Sequence, residues 1–311
     1  MDRIICVVGP TASGKTKLAV HLAKAYDGEV VSCDSMQIYK HMDIGTAKPT
    51  PEETEGVRHH LIDIIEPGED FSVGKYVQLA DACVQDILSR GRTVIIAGGT
   101  GLYVDSLISG RTFAPVPRTG KREALEARMR EAGGEAMLAA LRAVDPEAAQ
   151  RLHPADEKRI IRALEVYEET GKTITQHNLE TQAIPPRYRP VWIGLDYADR
   201  AVLYRRIDLR VDLMLQSGLL DEIRALLALG VSPAATAMQA IGYKEFFGAL
   251  DGSCTLEEAA ELCKQRSRNY AKRQLTWFRR NPEIRWLRLT GQEDFSAVLA
   301  AARQNIPFSA S

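Results

Sequence analysis

The first third of the chain alternates short apolar runs with amphipathic segments. Ile4–Val8 and Val30–Cys33 are rich in β-branched residues, and each run predicts a buried strand. Between them, apolar residues recur at helical spacing and predict an amphipathic helix that buries Leu18, Leu22, Ala25 and Tyr26. The order of strand, helix and strand indicates parallel neighbours in one sheet.

A further helix and strand repeat this scheme. The helix ends near Gly91, and its apolar stripe contains Leu79, Cys83 and Ile87. The chain then enters the unbroken apolar run Thr93–Ala97. Such a run is typical of a strand that helices cover on both faces, so the pattern predicts an α/β fold with a parallel sheet.

The middle of the chain has a different pattern. From about residue 118 it consists of charged, Ala-rich helical segments with no convincing strand. Pro190 then precedes another apolar strand, Val191–Tyr197, after which the chain is predicted to be helical nearly to its end. We expect a mainly helical insertion domain at 118–187 and a core domain formed by 1–117 and 188–311.

Composition limits the class of protein. The 311 residues are 45% hydrophobic and 26% charged, and the formal net charge is −1. This balance is typical of a globular protein and excludes a uniformly basic nucleic-acid binder. No apolar run reaches about 18 residues, and the first residues lack the long apolar region of a secretory leader. We therefore expect a cytoplasmic protein that has no membrane partner.

The sequence contains no recognisable disulfide or zinc pattern. The five cysteines, Cys6, Cys33, Cys83, Cys254 and Cys263, stand far apart without a C-x-x-C pair. The six histidines show no H-x-x-x-H or H-E-x-x-H spacing. We expect reduced thiols and no zinc.

A phosphate-binding loop follows the first strand. Residues 9–16 read GPTASGKT and match G-x-x-x-x-G-K-[ST] between a predicted strand and a predicted helix. In such a P-loop, backbone N–H groups surround phosphate oxygens, Lys15 adds a positive charge and the Thr16 hydroxyl can bind Mg²⁺. The motif is typical of nucleotide-binding and ATP-binding proteins. It predicts a P-loop NTPase-like core with phosphate contacts from Gly9, Pro10, Thr11, Ala12, Ser13, Gly14, Lys15 and Thr16.

The run Thr93–Ala97 lacks the acidic residue of an ordinary NTP hydrolase. Such enzymes end a second buried strand in a carboxylate that helps to hold Mg²⁺, whereas this run continues into Gly98-Gly99-Thr100-Gly101. The difference favours a fold that binds a diphosphate without hydrolysing it. The glycines allow close backbone approach and Thr100 supplies a hydroxyl. A tight turn without a ligand is the alternative.

Asp34 is the acidic residue that remains beside the predicted phosphate site. It follows the strand Val30–Cys33, at the edge of a parallel sheet where ligands bind. There a carboxylate can accept a proton. Asp34–Tyr39 is predicted to be a recognition loop in which Gln37 can read the edge of a base. A solvated turn for Asp34 and a core position for Met36 are the alternatives.

Six blocks occur in a characteristic order along nearly the whole chain. They are Gly9–Thr16, Ser32–Tyr39, Asp43–Pro49, Arg58–Ile64, Ala97–Tyr103 and Tyr270–Arg279. Together they resemble the bacterial tRNA dimethylallyltransferase (tRNA isopentenyltransferase) family. The resemblance implies Mg²⁺-dependent transfer of the dimethylallyl group of dimethylallyl diphosphate to the exocyclic amino nitrogen of the adenosine 3′-adjacent to the anticodon. The expected partners are dimethylallyl diphosphate and the anticodon stem-loop of tRNA, and we expect a monomer.

The resemblance also implies roles for individual residues. The P-loop is expected to hold the diphosphate together with Arg206 and Arg210. The expected catalytic residues are Asp34 as general base, Thr100 near the reacting atoms, and Lys15. The expected contacts to tRNA are Asp34, Ser35, Met36, Gln37 and Thr100 at the adenosine, and Arg122, Lys158, Arg159 and Arg162 in the insertion. For these last residues, a solvated face paired with Glu165 is the alternative.

The segment 264–288 is strongly basic in a nearly neutral chain. It contains nine basic residues and one acidic residue, a local charge of +8, with Tyr270 and Trp277 among them. Basic and aromatic residues together can follow a phosphate backbone and stack on bases, so we expect Lys272 and Arg273 to contact tRNA. An amphipathic helix with both aromatic residues facing the core is the alternative.

The residues alone leave two other functions open. A P-loop small-molecule kinase shares the fold and the role of Lys15, and it would consume ATP to phosphorylate a small acceptor. A nucleotide-gated RNA-binding module would bind tRNA and transfer nothing. The missing strand-end carboxylate and the Asp34–Tyr39 block favour the transferase.

Overall fold

The chain forms two compact units. One comprises Met1–Ile108 and Tyr188–Ser311, and the other comprises Ser109–Arg187. The computed structural model describes residues 2–111, 113 and 119–309. Residue 118, the predicted start of the helical insertion, lies outside these residues. The first unit contains the sheet, and the second unit contains only helices and loops among its described residues.

A parallel sheet forms the centre of the first unit. Among the described residues its six strands are β1 (Ile4–Val8), β2 (Gly28–Ser32), β3 (His59–His60), β4 (Thr93–Gly98), β5 (Val191–Tyr197) and β6 (Arg285–Leu289). Their spatial order is β3-β2-β4-β1-β5-β6, and all neighbours pair in parallel. The four predicted strands correspond to β1, β2, β4 and β5, so the predicted α/β class is confirmed.

Helices connect and cover these strands. In the described part of the chain they are α1 (Lys15–Ala25), α2 (Pro51–Thr54), α3 (Val73–Ser89), α4 (Gly101–Ser109), α5 (Lys121–Val144), α6 (Pro146–Gln150), α7 (Glu157–Thr170), α8 (Ile174–Gln182), α9 (Arg200–Gln216), α10 (Leu219–Ala228), α11 (Phe247–Asp251), α12 (Leu256–Phe278) and α13 (Phe295–Arg303). In α1, Leu18 and Leu22 share a buried cluster with Ile5 and Val7 of β1. This packing fixes the helix that follows the P-loop against the central strand.

The end of the chain differs from the prediction. We expected helices nearly to the end, but Arg285–Leu289 is strand β6 and pairs with β5. The strand lies at one edge of the sheet, and its apolar residues are only half-buried. The two-residue strand β3 at the other edge was also missed. An edge strand has one neighbour and need not be a continuous apolar run, so its sequence carries a weaker signal.

Among its described residues, the second unit contains helices α5 to α8 and no strand. Helix α5 is interrupted at Gly133, where φ is 78° and ψ is 167°. The helices share a buried core that includes Leu125, Leu138, Leu141, Ile160 and Leu164. Because α7 turns its apolar stripe to this core, its Lys158 and Arg159 are exposed.

No helix in the described residues is both long and apolar enough to cross a membrane. All five cysteines lie within the described ranges and are free thiols. Burial raises the pKa of Cys6 and Cys33 well above the ordinary thiol value. These two thiols are therefore protonated at neutral pH.

The sheet brings three functional segments together. Val8 at the end of β1 pairs with Gly98 of β4, and Ser32 at the end of β2 pairs with Ala97. The carboxyl ends of the three strands consequently lie side by side. The P-loop, the Asp34 loop and the Gly99-Thr100 turn all leave the sheet at this edge.

Candidate active site

The P-loop joins β1 to α1 in the predicted place. Gly9 and Gly14 have φ values of 147° and 90°, a region that favours glycine. A Cβ atom at Gly9 would collide with the carbonyl oxygen of Leu195 on β5. Gly14 is the N-cap of α1, and the first N–H groups of a helix have no partner within the helix. The loop therefore has the geometry of an anion-binding turn.

Lys15 lies among groups of both charges. Its Nζ donates to the carbonyl oxygen of Pro10 at 2.6 Å. Desolvation and the nearby Arg210 lower the pKa of the Lys15 ammonium to about 7, whereas Asp34 acts to raise it. Burial also lowers the pKa of Arg210, against the effect of Asp34. Two poorly solvated cations thus lie near one carboxylate, and a bound polyanion would stabilise both.

Two arginines of α9 reach the P-loop. Arg206 Nε donates to the carbonyl oxygen of Ala12 at 3.0 Å, and Arg210 Nη1 donates to Thr11 Oγ1 at 3.3 Å. A spacing of four residues places both side chains on one face of the helix. The structure therefore brings these arginines to the loop for which the resemblance implied them.

Asp34 is half-buried at the end of β2. Its Oδ1 accepts the backbone N–H groups of Met36 at 2.8 Å and Gln37 at 3.4 Å. This pattern is an Asx turn, which fixes the direction of the carboxylate. Asp34 is thus held by its own loop and still lines a cavity.

Thr100 connects the Asp34 loop to the turn after β4. Its Oγ1 accepts the backbone N–H of Ser35 at 3.1 Å and donates to Ser35 Oγ at 3.4 Å. Its own N–H donates to the carbonyl oxygen of Cys33 at 3.1 Å. A Cβ atom at Gly98 would collide with the same carbonyl group. The glycine therefore permits the close approach that places Thr100 beside Asp34.

Gln37 and Met36 make contacts within the protein. Gln37 Oε1 accepts from Ser32 Oγ at 3.2 Å, and Nε2 donates to the carbonyl oxygens of Ala47 at 3.1 Å and Thr46 at 3.4 Å. Met36 packs against a buried cluster and also lines a cavity. Base recognition by Gln37 stays a prediction, and the structure gives its amide a role in shaping the loop.

Two cavities meet at Asp34. The smaller is polar, measures about 100 Å³ and includes Lys15 and Thr16. The larger measures about 280 Å³, and its mainly apolar wall includes Ile207 and Met214. A carboxylate thus stands between a phosphate-binding space and an apolar space.

The sequence predicted a contact from Arg273 of α12, which lines the larger cavity, but the roles of Gln274 and Tyr270 at the two cavities were missed. Gln274 accepts the N–H of Thr11 at 2.8 Å and donates to the carbonyl oxygen of Gly99 at 3.0 Å. Tyr270 lines both cavities, and desolvation raises its pKa to about 12. The available signal was their spacing of four residues, which places both side chains on one face of a helix.

The basic segment 264–288 carries less free charge than its composition indicates. Of its nine basic residues, five pair with carboxylates from outside the segment: Lys264 with Asp212, Arg266 with Glu245, Arg268 with Asp208 and Glu261, and both Arg279 and Arg288 with Asp196. Within the described ranges, the residues without an ion pair are Lys272, Arg273, Arg280 and Arg285. Lys272 and Arg273, the predicted tRNA contacts, are therefore exposed and unpaired.

The predicted tRNA contacts of the second unit divide in the same way. Arg122 and Arg162 donate to the buried carboxylate of Glu165 at 3.3 and 3.0 Å. These two form the salt-bridged arrangement that the sequence offered as the alternative. Arg159 lies 3.7 Å from a carboxylate oxygen of Asp156, and Lys158 is exposed.

The side chains near the polar cavity suit Mg²⁺ better than a metal ion that protein ligands surround completely. No group of three or more His, Cys, Asp and Glu side chains that could hold a metal occurs among the described residues. Mg²⁺ usually keeps several waters and takes one or two protein ligands beside substrate phosphates. Thr16 and Asp34 line the same polar cavity, and this sparse set fits an ion that its substrate also holds.

Comparison with known protein families gives a consistent result. The model of the IPP transferase family matches residues 37–281. A tRNA dimethylallyltransferase of Geobacillus thermodenitrificans is 50% identical over 298 residues, which cover 95% of this chain and 93% of the relative. Another, of Thermoanaerobacter pseudethanolicus, is 48% identical over 286 residues, or 91% of each chain.

Solved structures of similar fold carry related names. A tRNA isopentenylpyrophosphate transferase of Bacillus halodurans has a TM-score of 0.73 and 43% identity, with 98% of this chain and 95% of that chain covered. A eukaryotic dimethylallyltransferase, described as acting on tRNA, has a TM-score of 0.82 and 30% identity, with 97% and 78% covered. The predicted P-loop NTPase-like fold is confirmed by these likenesses.

Proposed function

The chain belongs to the IPP transferase family, and we propose that it transfers the dimethylallyl group of dimethylallyl diphosphate to tRNA. The acceptor is the exocyclic amino nitrogen of the adenosine 3′-adjacent to the anticodon, and diphosphate is released. The chain is thus a prenyltransferase that modifies tRNA. We further propose that it acts in the cytoplasm as a monomer without zinc.

The P-loop side of the site binds the leaving diphosphate. Its N–H groups, together with Lys15, Arg206 and Arg210, supply the positive charge that a diphosphate needs. Support comes from the hydrogen bonds that hold both arginines on the loop. The lowered pKa of Lys15 provides further support, because desolvated cations gain free energy when an anion binds.

We propose Mg²⁺ as the cofactor. The Thr16 hydroxyl would hold the ion, and Asp34 lines the same cavity. When bound, the ion would neutralise part of the negative charge on the diphosphate. Whether ATP also binds at the loop stays a prediction.

The opposite side of the site activates the adenosine. An adenine amino nitrogen is a weak nucleophile because its lone pair is delocalised into the ring. In the proposed reaction this nitrogen forms a bond to C1 of the dimethylallyl group while the bond from C1 to the diphosphate oxygen breaks. Asp34 accepts the proton that the nitrogen loses, and Thr100 and Ser35 lie beside it. Met36 and Gln37 complete the wall at the adenosine.

Contacts to the tRNA backbone come from exposed cations. In the first unit these are Lys272 and Arg273, and in the second unit they are Lys158 and Arg159, with Arg122 and Arg162 ordered by Glu165. An adenosine must leave the stacked anticodon loop to reach Asp34, at a cost of a few kcal/mol. Backbone contacts offset this cost.

One observation carries the proposal: Asp34 lies where a phosphate-binding cavity meets an apolar one. A prenyl diphosphate has this combination of a charged and an apolar end. The kinase and RNA-binding interpretations of the sequence find no support in the family comparisons, which agree on a dimethylallyl transfer to tRNA.

The test is mass spectrometry of nucleosides from tRNA incubated with the protein, Mg²⁺ and dimethylallyl diphosphate. We expect one adenosine beside the anticodon to gain a dimethylallyl group, with one diphosphate released per transfer. A tRNA in which that adenosine is replaced by uridine is the control. Steady ATP hydrolysis without any prenylated nucleoside would contradict the proposal.

A further inference from the structure

Gln274 of α12 joins two loops of the site that lie far apart in the sequence. Its Oε1 accepts the N–H of Thr11 in the P-loop at 2.8 Å, and its Nε2 donates to the carbonyl oxygen of Gly99 at 3.0 Å. The residue is only 5% exposed, so water does not readily replace either bond. Because one bond needs the oxygen and the other needs the NH₂ group, the amide has one orientation.

The segment after β4 fits closely against this face of α12. A Cβ atom at Gly99 would collide with Nε2 of Gln274, and one at Gly101 would collide with the ring of Trp277. Gln274 and Trp277 are three residues apart and lie on the same face of the helix. Two glycines therefore allow the backbone of the turn to approach the helix directly.

The same turn carries Thr100. Its hydroxyl oxygen accepts the N–H of Ser35 at 3.1 Å, and its own N–H donates to the carbonyl oxygen of Cys33 at 3.1 Å. Ser35 follows Asp34 directly. A shift of the turn relative to α12 would therefore move the groups around the proposed base.

We propose that Gln274 is a positioning residue that fixes the P-loop relative to the Thr100 turn, an inference that rests on the proposed function. In the proposed function, Thr11 belongs to the loop that holds the diphosphate, and Gly99 belongs to the turn that meets the adenosine. Gln274 consequently sets the distance between the carbon that is attacked and the nitrogen that attacks it. A displacement of about 1 Å can lower a rate by about 10²-fold.

A purely structural role for Gln274 leads to a different expectation. Loss of a buried hydrogen-bond partner lowers the stability of the fold, but it leaves the rate constant of each folded site unchanged. The informative quantity is therefore the single-turnover rate constant per folded site at saturating substrates, measured together with KM.

Two variants remove the bridge in different ways. Gln274→Glu keeps the oxygen that accepts from Thr11, but its carboxylate cannot donate to Gly99 when ionised. Gln274→Met removes both bonds and adds no charge. We expect the single-turnover rate constant of each to fall about 10- to 100-fold. We expect KM for dimethylallyl diphosphate in Gln274→Met to stay within about threefold of the wild-type value.

Gln265→Glu is the matched control, because Gln265 is exposed on the same helix. Its rate constant should equal that of the wild type. If Gln274 acts through the turn, Gln274→Met combined with Thr100→Ala lowers the rate by less than the product of the separate effects. A wild-type rate in Gln274→Met, or fully multiplicative effects, would overturn the inference. Absence of transfer by the wild-type protein would instead overturn the proposed function.

Discussion

The P-loop site and the segment 264–288 are both rich in positive charge, but the two regions use it differently. At the P-loop, Lys15, Arg206 and Arg210 donate to carbonyl and hydroxyl oxygens and form no ion pair in the part of the chain that the structure describes. In the segment 264–288, five cations are paired with carboxylates. The cations of the P-loop are thus available to an anion, and most of the others hold elements of the fold together.

This difference predicts three kinds of effect when charged residues are substituted. A cation that already has a carboxylate partner must lose it before it binds phosphate, and that loss costs free energy. Substitutions at the P-loop site should therefore change the chemical step. Substitutions of paired cations should change stability, and those of unpaired surface cations should change the affinity for tRNA.

The largest effect is expected at the carboxylate that lies among the P-loop cations. Asp34→Asn keeps the size of the side chain and removes its basicity, so the single-turnover rate should fall about 10²- to 10⁴-fold. The affinity for tRNA should change little, because the phosphate contacts remain. Asp221→Asn, at a position that is 82% exposed, is the control. An unchanged rate in Asp34→Asn would remove Asp34 from the mechanism.

The next largest effect is expected at Lys15, which we propose binds the leaving diphosphate. Lys15→Met removes a cation that we propose contacts the diphosphate, and removal of one such group should lower kcat about 10²- to 10³-fold. Rapid-quench kinetics and filter binding of tRNA would show a slow chemical step with normal tRNA affinity. Lys24→Met, which breaks an ion pair with Glu55 at the other end of α1, should have the wild-type rate. Equal losses in both lysine variants would argue against the role of Lys15.

A smaller effect is expected where a cation pairs with a buried carboxylate. Arg266 Nη1 lies 3.1 Å from Oε1 of Glu245, whose side chain is 0% exposed. Arg266→Met leaves that carboxylate without its cation and should lower the free energy of unfolding by about 1–3 kcal/mol. Urea denaturation measures this change. A loss of tRNA affinity with unchanged stability would show that Arg266 is available to phosphate after all.

The fold could be predicted where burial imposes a pattern. β1, β2, β4 and β5 are apolar runs because each has a neighbour on both sides and helices on both faces. β3 and β6 lie at the edges, where half-exposed residues interrupt the run. The sequence therefore predicts the four central strands but not the two edge strands.

The site could be predicted where its residues are adjacent in the sequence. The P-loop is a continuous motif, and Asp34 directly follows a strand. Arg206 and Arg210 were indicated only by the family resemblance. Gln274 bonds to a residue 263 positions away, and no local pattern specifies a contact over that separation. The partners of Arg279 and Arg288 in the basic segment were missed for the same physical reason, because Asp196 lies 83 and 92 positions away.

The division between paired and unpaired cations can be tested most directly with two lysines of α12. Lys264 lies 2.6 Å from a carboxylate oxygen of Asp212, whereas Lys272 is exposed and makes no ion pair with any described residue. The measurement is the affinity for an anticodon stem-loop across a salt series, in Lys264→Gln, Lys272→Gln and the wild type. Each phosphate contact contributes roughly −0.7 to the slope of log affinity against log salt for single strands. We predict that Lys272→Gln flattens the slope by about this amount and that Lys264→Gln leaves it unchanged. Equal slopes in the two variants would contradict the account.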